Sequence, residues 1–258
     1  MILQNPPATP RYCLGENRRM CPREGVLVEP DADIAGSETQ QAPKWVRRPR
    51  LDGPRIIAAA LVVALTGAMS VEPPPSWEES LFWAVNGLPR YLDFPLWFLQ
   101  QAGMAMAIPA AALALWFVVA HWRPPVGLVL GGIILGWAAA KGIKAIVGRG
   151  RPGVLLEDVV YGLDGPLRGI GFPSGHAVVV FTIAVVFSPY LPRWLRWVLY
   201  GLAVVVCVAR LFAGAHMPLD VVGGAAFGMI VGSSINLVVG IREDRARPEA
   251  VPEWSLGR

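Results

Sequence analysis

From residue 56 to residue 241 the chain is a succession of apolar stretches, several of them long and free of charge, closed by prolines and basic clusters. In water such a chain has no way to cover its apolar surface. In a bilayer, each stretch of about 20 residues reads as a spanning helix, with a tolerated range of about 17–25. Backbone groups in hydrocarbon must be satisfied within their own segment, so helix is the structure these runs predict. Hydrophobic residues make up 54% of the 258 and charged residues 16%. That balance excludes a disordered chain and argues against an ordinary soluble enzyme.

The expected fold is therefore all-α: a polytopic membrane protein with six transmembrane helices in a bundle. The predicted spans are 56–71, closed by Glu72 and Pro73-Pro74-Pro75; 94–120; 126–147, with Lys141 and Lys144 near its end; 173–188, stopped by Pro189 and Pro192; 194–214, carrying Arg210; and 218–241, uncharged after Asp220. Gly131-Gly132, Gly136 and Gly223-Gly224 are small enough to let helices approach closely. Residues 77–91 read as a short, aromatic-rich interfacial helix. Residues 1–55 hold eight prolines and nine Lys or Arg with no apolar periodicity, and read as a disordered cytoplasmic tail. Residues 242–258 form a second cytoplasmic tail, leaving 56–241 as the membrane domain.

The formal charge is +4, but the cations sit in tails and at span ends, where phospholipid headgroups supply the anions, so no nucleic-acid partner is expected. Cys13, Cys21 and Cys207 are odd in number, with no CxxC pair and no flanking His, and predict neither a disulfide framework nor a zinc site. In the plasma membrane, the positive-inside bias puts the N-terminal tail, the turn from His121 to Arg123, Arg193, Arg196 and Arg242 on the cytoplasmic side and the 72–93 loop, with Glu78 and Glu79, outside. One region defies the bias. Lys141, Lys144, Arg149, Arg151 and Arg168 gather around the outer 148–172 loop, and of these Lys141, Arg149 and Arg168 are read as headgroup contacts or solvated loop.

Alternating spans bring four helix ends to one face: Lys144, His176, Arg210 and Asp220, with Arg151 and His216 beside them. Ionisable groups at membrane depth are costly and usually functional. Three cations facing one small volume repel one another unless an anion sits between them. A phosphate suits such a site, since Arg offers a planar fork and Lys a point charge. Phe172-Pro-Ser174-Gly175-His176 opens a helix whose N–H groups also favour an anion. His216 and His176 are candidates for nucleophile and acid, with Asp220 fixing one imidazole. Each residue has a bland reading as well. Ser174 is an ordinary N-cap, Asp220 a helix-start carboxylate, Lys144 a snorkelling cation and each His an interfacial one. Those readings require six coincidences on one face.

Lys144 with six residues to Arg151-Pro152, then Pro173-Ser174-Gly175-His176, then Arg210 with five residues to His216 and three to Asp220, resembles the type-2 phosphatidic acid phosphatase superfamily. The resemblance implies that His216 attacks phosphorus to give a phosphohistidine, that Asp220 orients His216, and that His176 protonates the leaving oxygen. It also implies that Lys144, Arg151, Ser174, Gly175 and Arg210 bind the phosphate. Ala209 stands where the family usually has Ser. No cofactor and no metal are expected, because the three cations do a metal's work and no carboxylate cluster is present to hold one.

The expected activity is metal-independent hydrolysis of a membrane lipid phosphate, with an isoprenoid (undecaprenyl-type) diphosphate as leading substrate and the site facing out. The alternatives are a phosphatidate or phosphatidylglycerophosphate phosphatase and, in another class, a lipid or anion transporter. The soluble vanadate-dependent haloperoxidases share the motif but lack the spans. No protein partner is legible.

Overall fold

A computed structural model of the chain describes residues 51–70, 72–103, 113, 123–163, 165 and 168–240. Most of both polar tails, His121, and the greater part of the predicted second span lie outside these residues. Among the described residues there is no β-strand, only one antiparallel bridge between Gly150 and Ile170. The helices are α1 (Asp52–Met69), α2 (Ser76–Asn86), α3 (Asp93–Gln100), α4 (Arg123–Val147), α5 (Pro152–Leu155), α6 (Gly175–Phe187), α7 (Arg193–Phe212) and α8 (Pro218–Val239). Four of them (α1, residues 129–147 of α4, α7 and α8) are long and apolar enough to cross a membrane.

Two boundaries differ from expectation. Helix α1 begins at Asp52, inside the stretch assigned to the N-terminal tail. Its charge does not end the helix because Asp52 is buried and paired, accepting from Arg55 at 2.6 Å and from Ser233 of α8 at 3.3 Å. Helix α6 runs 13 residues and continues as a 3-10 turn over Ser188–Tyr190, past the stop expected at Pro189; it is short of a full span, as the stretch 173–188 already is. It is apolar all round and buried from Ala177 through most of its length, as expected of a helix enclosed by others.

Helix α8 is the hub, packing against α6, α1 and α4. Its sequence explains why. Gly224, Gly228 and Gly232 recur every fourth residue and so share one face. A Cβ at Gly224 would lie 2.5 Å from the Ser174 carbonyl oxygen, at Gly228 2.5 Å from that of Val178, and at Gly232 2.7 Å from Val185 Cβ. The backbones of α6 and α8 are thus nearly in contact, the arrangement that small residues permit in membrane bundles. Thr182 and Asn236 add bonds across the seam, to the Gly228 carbonyl at 3.1 Å and the Val185 carbonyl at 3.2 Å. On the other side, Gly132 and Gly136 of α4 make room for Ile235 and Val231. Cys207 is a core residue, packed with Val180, Phe181, Val206 and Val221.

The outward faces are apolar too. Ile57, Leu61 and Leu65 on α1 and Trp194 and Trp197 on α7 are exposed, which suits lipid rather than water. At one end of the bundle the last turns of α4 and α7 meet the first turns of α6 and α8. Backbone bonds join them there: Ser174 N–H donates to the Asp220 carbonyl at 2.9 Å, and Ala215 N–H to that of Arg210 at 3.0 Å.

Candidate active site

Helix α8 starts at Pro218, whose fixed φ and missing N–H suit a first helical position. The remaining N–H groups at a helix start need acceptors. Here two carboxylates supply them: Asp220 Oδ2 accepts from Met217 N at 2.9 Å, and Glu78 Oε1 accepts from Leu219 N at 3.0 Å. Asp220 Oδ2 also faces His216 Nδ1 at 3.3 Å. The bland reading of Asp220 as a helix-start carboxylate is therefore correct as far as it goes, and the same oxygen meets the imidazole.

His216 reaches this position because α7 ends in a tight turn. Gly214 has φ +67, a backbone conformation natural to glycine, and lies against Val160 and Tyr161 of the preceding loop. Asn86 of α2 fixes that loop, donating to the carbonyls of Val160 (2.7 Å) and Phe212 (2.9 Å) and accepting from Val160 N–H.

Gly171 is the crossing point. Its carbonyl accepts from Lys144 Nζ at 2.7 Å and from the His216 ring. A Cβ on it would stand 2.6 Å from Asp220 Oδ2, so only glycine leaves the carboxylate its place. Arg151 donates to the carbonyl of Ala215, the residue before His216, at 3.0 Å. Arg210, buried in the last turn of α7, donates to Gln100 Oε1 of α3 at 2.7 Å. Lys144, Arg151 and Arg210 thus surround one imidazole. Burial first, then the charges of Arg210, Arg151 and Lys144, hold His216 well below the ordinary histidine value, although the Gly171 carbonyl opposes them. The ring is neutral near pH 7, with Nδ1 toward Asp220.

Ser174 occupies the N-cap position of α6 but makes no capping bond with its side chain. Its hydroxyl is buried and has no hydrogen-bond partner among the described residues. The N-cap reading does not account for it. Gly175 opens the helix beside Trp137, and His176 follows in the first turn, half-buried and pressed against Gly103. A Cβ on Gly103 would lie 2.9 Å from His176 Cβ.

The expectation for Arg149 is overturned. It is neither solvated nor at a headgroup but buried, giving two bonds to Glu78 (2.9 and 2.6 Å) and one to Asp220 Oδ1 (3.3 Å). Burial works against its charge, yet the bonds to Glu78 and the two carboxylate charges outweigh that and push its pKa up. Glu78, in the stretch read as an interfacial helix, is likewise buried. Lys141 and Arg168 are exposed as expected, with Lys141 Nζ 3.7 Å above the Trp137 ring. Sequence reasoning also missed Gln100, because nothing local distinguishes it from any polar residue at a helix end.

A pack of apolar helices that joins an imidazole–carboxylate pair to three cations at one end is the design of a membrane-embedded phosphatase, a hydrolase of phosphate esters. Residues 125–243 match the model of the PAP2 superfamily. It is 28% identical over 161 residues to YbjG of Escherichia coli (strain K12), provisionally named an undecaprenyl-diphosphatase, covering 58% of this chain and 77% of that one. With the lipid A 4'-phosphatase of Porphyromonas gingivalis it shares 26% over 168 residues, 60% of this chain and 70% of that one. Its fold matches the crystal structure of a transmembrane PAP2 type phosphatidylglycerolphosphate phosphatase from Bacillus subtilis with TM-score 0.59 and 19% identity, over 76% of this chain and 98% of that one.

Proposed function

We propose that the chain removes the terminal phosphate of an isoprenoid diphosphate of the undecaprenyl class, on the outer face of the plasma membrane, through a phosphohistidine on His216. The observation that carries this reading is the neutral imidazole with Nδ1 on Asp220 and three cations around it. Nε2 of His216 attacks phosphorus in line as the bond to the leaving oxygen breaks, and His176 gives that oxygen its proton. His176, now a base, takes a proton from water, whose oxygen displaces Nε2 and frees inorganic phosphate. Lys144, Arg151 and Arg210 bind the phosphoryl oxygens, with the Ser174 hydroxyl and the N–H groups from Gly175 onward as further donors. The partnerless Ser174 hydroxyl supports that assignment.

The reading includes six spans, the second of them over 94–120, and both termini in the cytoplasm. Arg193 and Arg196 open α7 at the end away from Arg210, so the positive-inside bias puts the site outside. The undecaprenyl preference rests on the relative YbjG. The names of the other two relatives favour a second reading, a phosphatidylglycerophosphate-type or lipid A-type phosphatase. Phosphate release by purified protein from undecaprenyl diphosphate, phosphatidylglycerophosphate, phosphatidate and lipid A separates them. The fastest kcat/KM is expected on undecaprenyl diphosphate, and no release from it eliminates that choice.

Two further outcomes are expected of the same assay. Turnover survives EDTA and is inhibited by vanadate, which mimics five-coordinate phosphorus; among the described residues no three His, Cys, Asp or Glu side chains cluster as a metal site would need. Dependence on a divalent ion contradicts the cation clamp. The pH profile is the second. His216 must be neutral to attack, and its pKa in the folded protein is lowered, so kcat/KM falls only as pH drops below the ordinary histidine value of about 6.5. A bound phosphate dianion offsets the three cations and raises that pKa, so the acid limb of kcat lies at higher pH than that of kcat/KM. An acid limb above about 7 in kcat/KM, common to substrates of different phosphate acidity, excludes His216 as the titrating base.

A further inference from the structure

Arg149 and Glu78 have no role in the phosphate site as described, yet both side chains are fully buried beside it. Burying two charges is expensive and gives stability only if every lone pair is used. Here the carboxylate oxygens all have donors. Glu78 Oε1 accepts from Arg149 and from Leu219 N, and Oε2 from Arg149. Asp220 Oδ1 faces Arg149, and Oδ2 takes Met217 N and faces His216. The rotamer of Asp220 is thereby fixed from both ends, with Oδ2 turned to the imidazole.

We propose that Glu78 and Arg149 are positioning residues for the transfer step: together they hold Asp220 in the rotamer that meets His216 and keep its negative charge undiminished. The proposal rests on the reading of His216 as nucleophile and Asp220 as its orienter. Arg149 alone would fix Asp220 but also neutralise it, and an imidazole gains less from a neutralised partner as it takes on positive charge in attacking phosphorus. Glu78 cancels the charge of Arg149 and leaves its geometry, so the charge His216 meets is that of Asp220. The charged groups that act on the His216–Asp220 pair are Lys144 from α4, Arg149 and Arg151 from the loop after it, and Arg210 from α7, with Glu78 from α2 bonded to Arg149. Only Glu78 and Asp220 among them are acids.

The test is steady-state phosphate release from a lipid phosphate by the full chain in detergent micelles, across pH, with folding followed by thermal unfolding. Glu78→Gln is expected to lower kcat by about 10- to 100-fold with KM changed by less than about threefold, since the interaction it perturbs acts in the transition state. The acid limb of kcat/KM moves down by about half a pH unit or more, because His216 loses stabilisation of its protonated form. Glu78→Asp keeps the charge and returns the limb to its wild-type position. Glu79→Gln, the same charge change on the adjacent residue of α2, leaves both quantities as in wild type. A Glu78→Gln protein with wild-type kcat and acid limb overturns the proposal, as does one whose only change is a lower unfolding temperature, the behaviour of a mere clip between α2 and α8. If Glu78→Gln fails to fold, Arg149→Lys decides: it keeps the charge and loses the fork, and kcat is expected to drop at least about fivefold at unchanged KM. Wild-type kcat there sinks the idea. His216→Ala in the same series keeps the two failures apart, for substantial activity in it removes the nucleophile reading, whereas an inactive His216→Ala beside normal Glu78 and Arg149 variants removes only the positioning pair.

Discussion

His216→Ala is expected to lower turnover by at least about 10⁴-fold while the protein stays folded. A covalent route cannot proceed without its nucleophile, and the members of such a unit fail together rather than in proportion. The fold has little to lose at this position. Asp220 keeps Met217 N–H and Arg149, and the Gly171 carbonyl keeps Lys144, so no buried charge or acceptor is orphaned. The deletion leaves a small cavity in a turn rather than a gap between spans. Thermal unfolding within a few degrees of wild type, together with loss of acid-labile phosphate on the protein after a brief exposure to labelled substrate, is the expected pair of results. Turnover within tenfold of wild type would strip His216 of its role and pass the question to His176.

The parts of this site that sequence made legible are those governed by helix parity. Lys144 closes one span, Arg210 another, and Ser174 and Asp220 open two more, so counting spans is enough to put them on one face, where the structure has them. What parity cannot supply is a partner. Arg149 and Glu78 are 71 residues apart, and an arginine at a membrane boundary has the same sequence surroundings whether it meets a headgroup or a buried acid. Two signals pointed the right way. The cations of the 148–172 loop run against the positive-inside bias, which calls for local anions. Glu78 also shares a four-residue spacing with Phe82 and Asn86, and all three lie on the buried face of α2. The start of α1 is hidden for a related reason: Asp52 reads as polar tail because its donor, Ser233, lies 181 residues away. Ser174 is the reverse case, where a residue type typical of helix caps hides a hydroxyl that does not cap.

Gly228→Leu is expected to prevent recovery of folded, monodisperse protein. The atoms that a side chain at this position would meet are the Val178 carbonyl oxygen at 2.5 Å, Phe181 Cβ at 2.9 Å and Thr182 N at 3.1 Å. Two of these are backbone, so no rotamer change relieves the clash and the two helices must separate. Overpacking by a methylene or two in a core costs about 1–3 kcal/mol. Here a four-carbon side chain is forced between two backbones in a protein whose whole stability is on the order of 5–15 kcal/mol. Separation also breaks the Thr182–Gly228 bond and, toward the site, strains the bond from Ser174 N–H to the Asp220 carbonyl, which holds the start of α6 against the start of α8. Gly228→Ala should therefore fold but lose catalytic rate well before it loses stability, because the same seam that packs the bundle sets where Ser174 and His176 stand relative to His216. Gly201→Leu on α7 is the control, since a Cβ there meets nothing within 4 Å and the residue is exposed on the outside of the bundle. Wild-type unfolding temperature and turnover in Gly228→Leu would mean that α6 and α8 do not cross as closely as described, and the alignment of the phosphate-binding loop with the catalytic pair would need another cause.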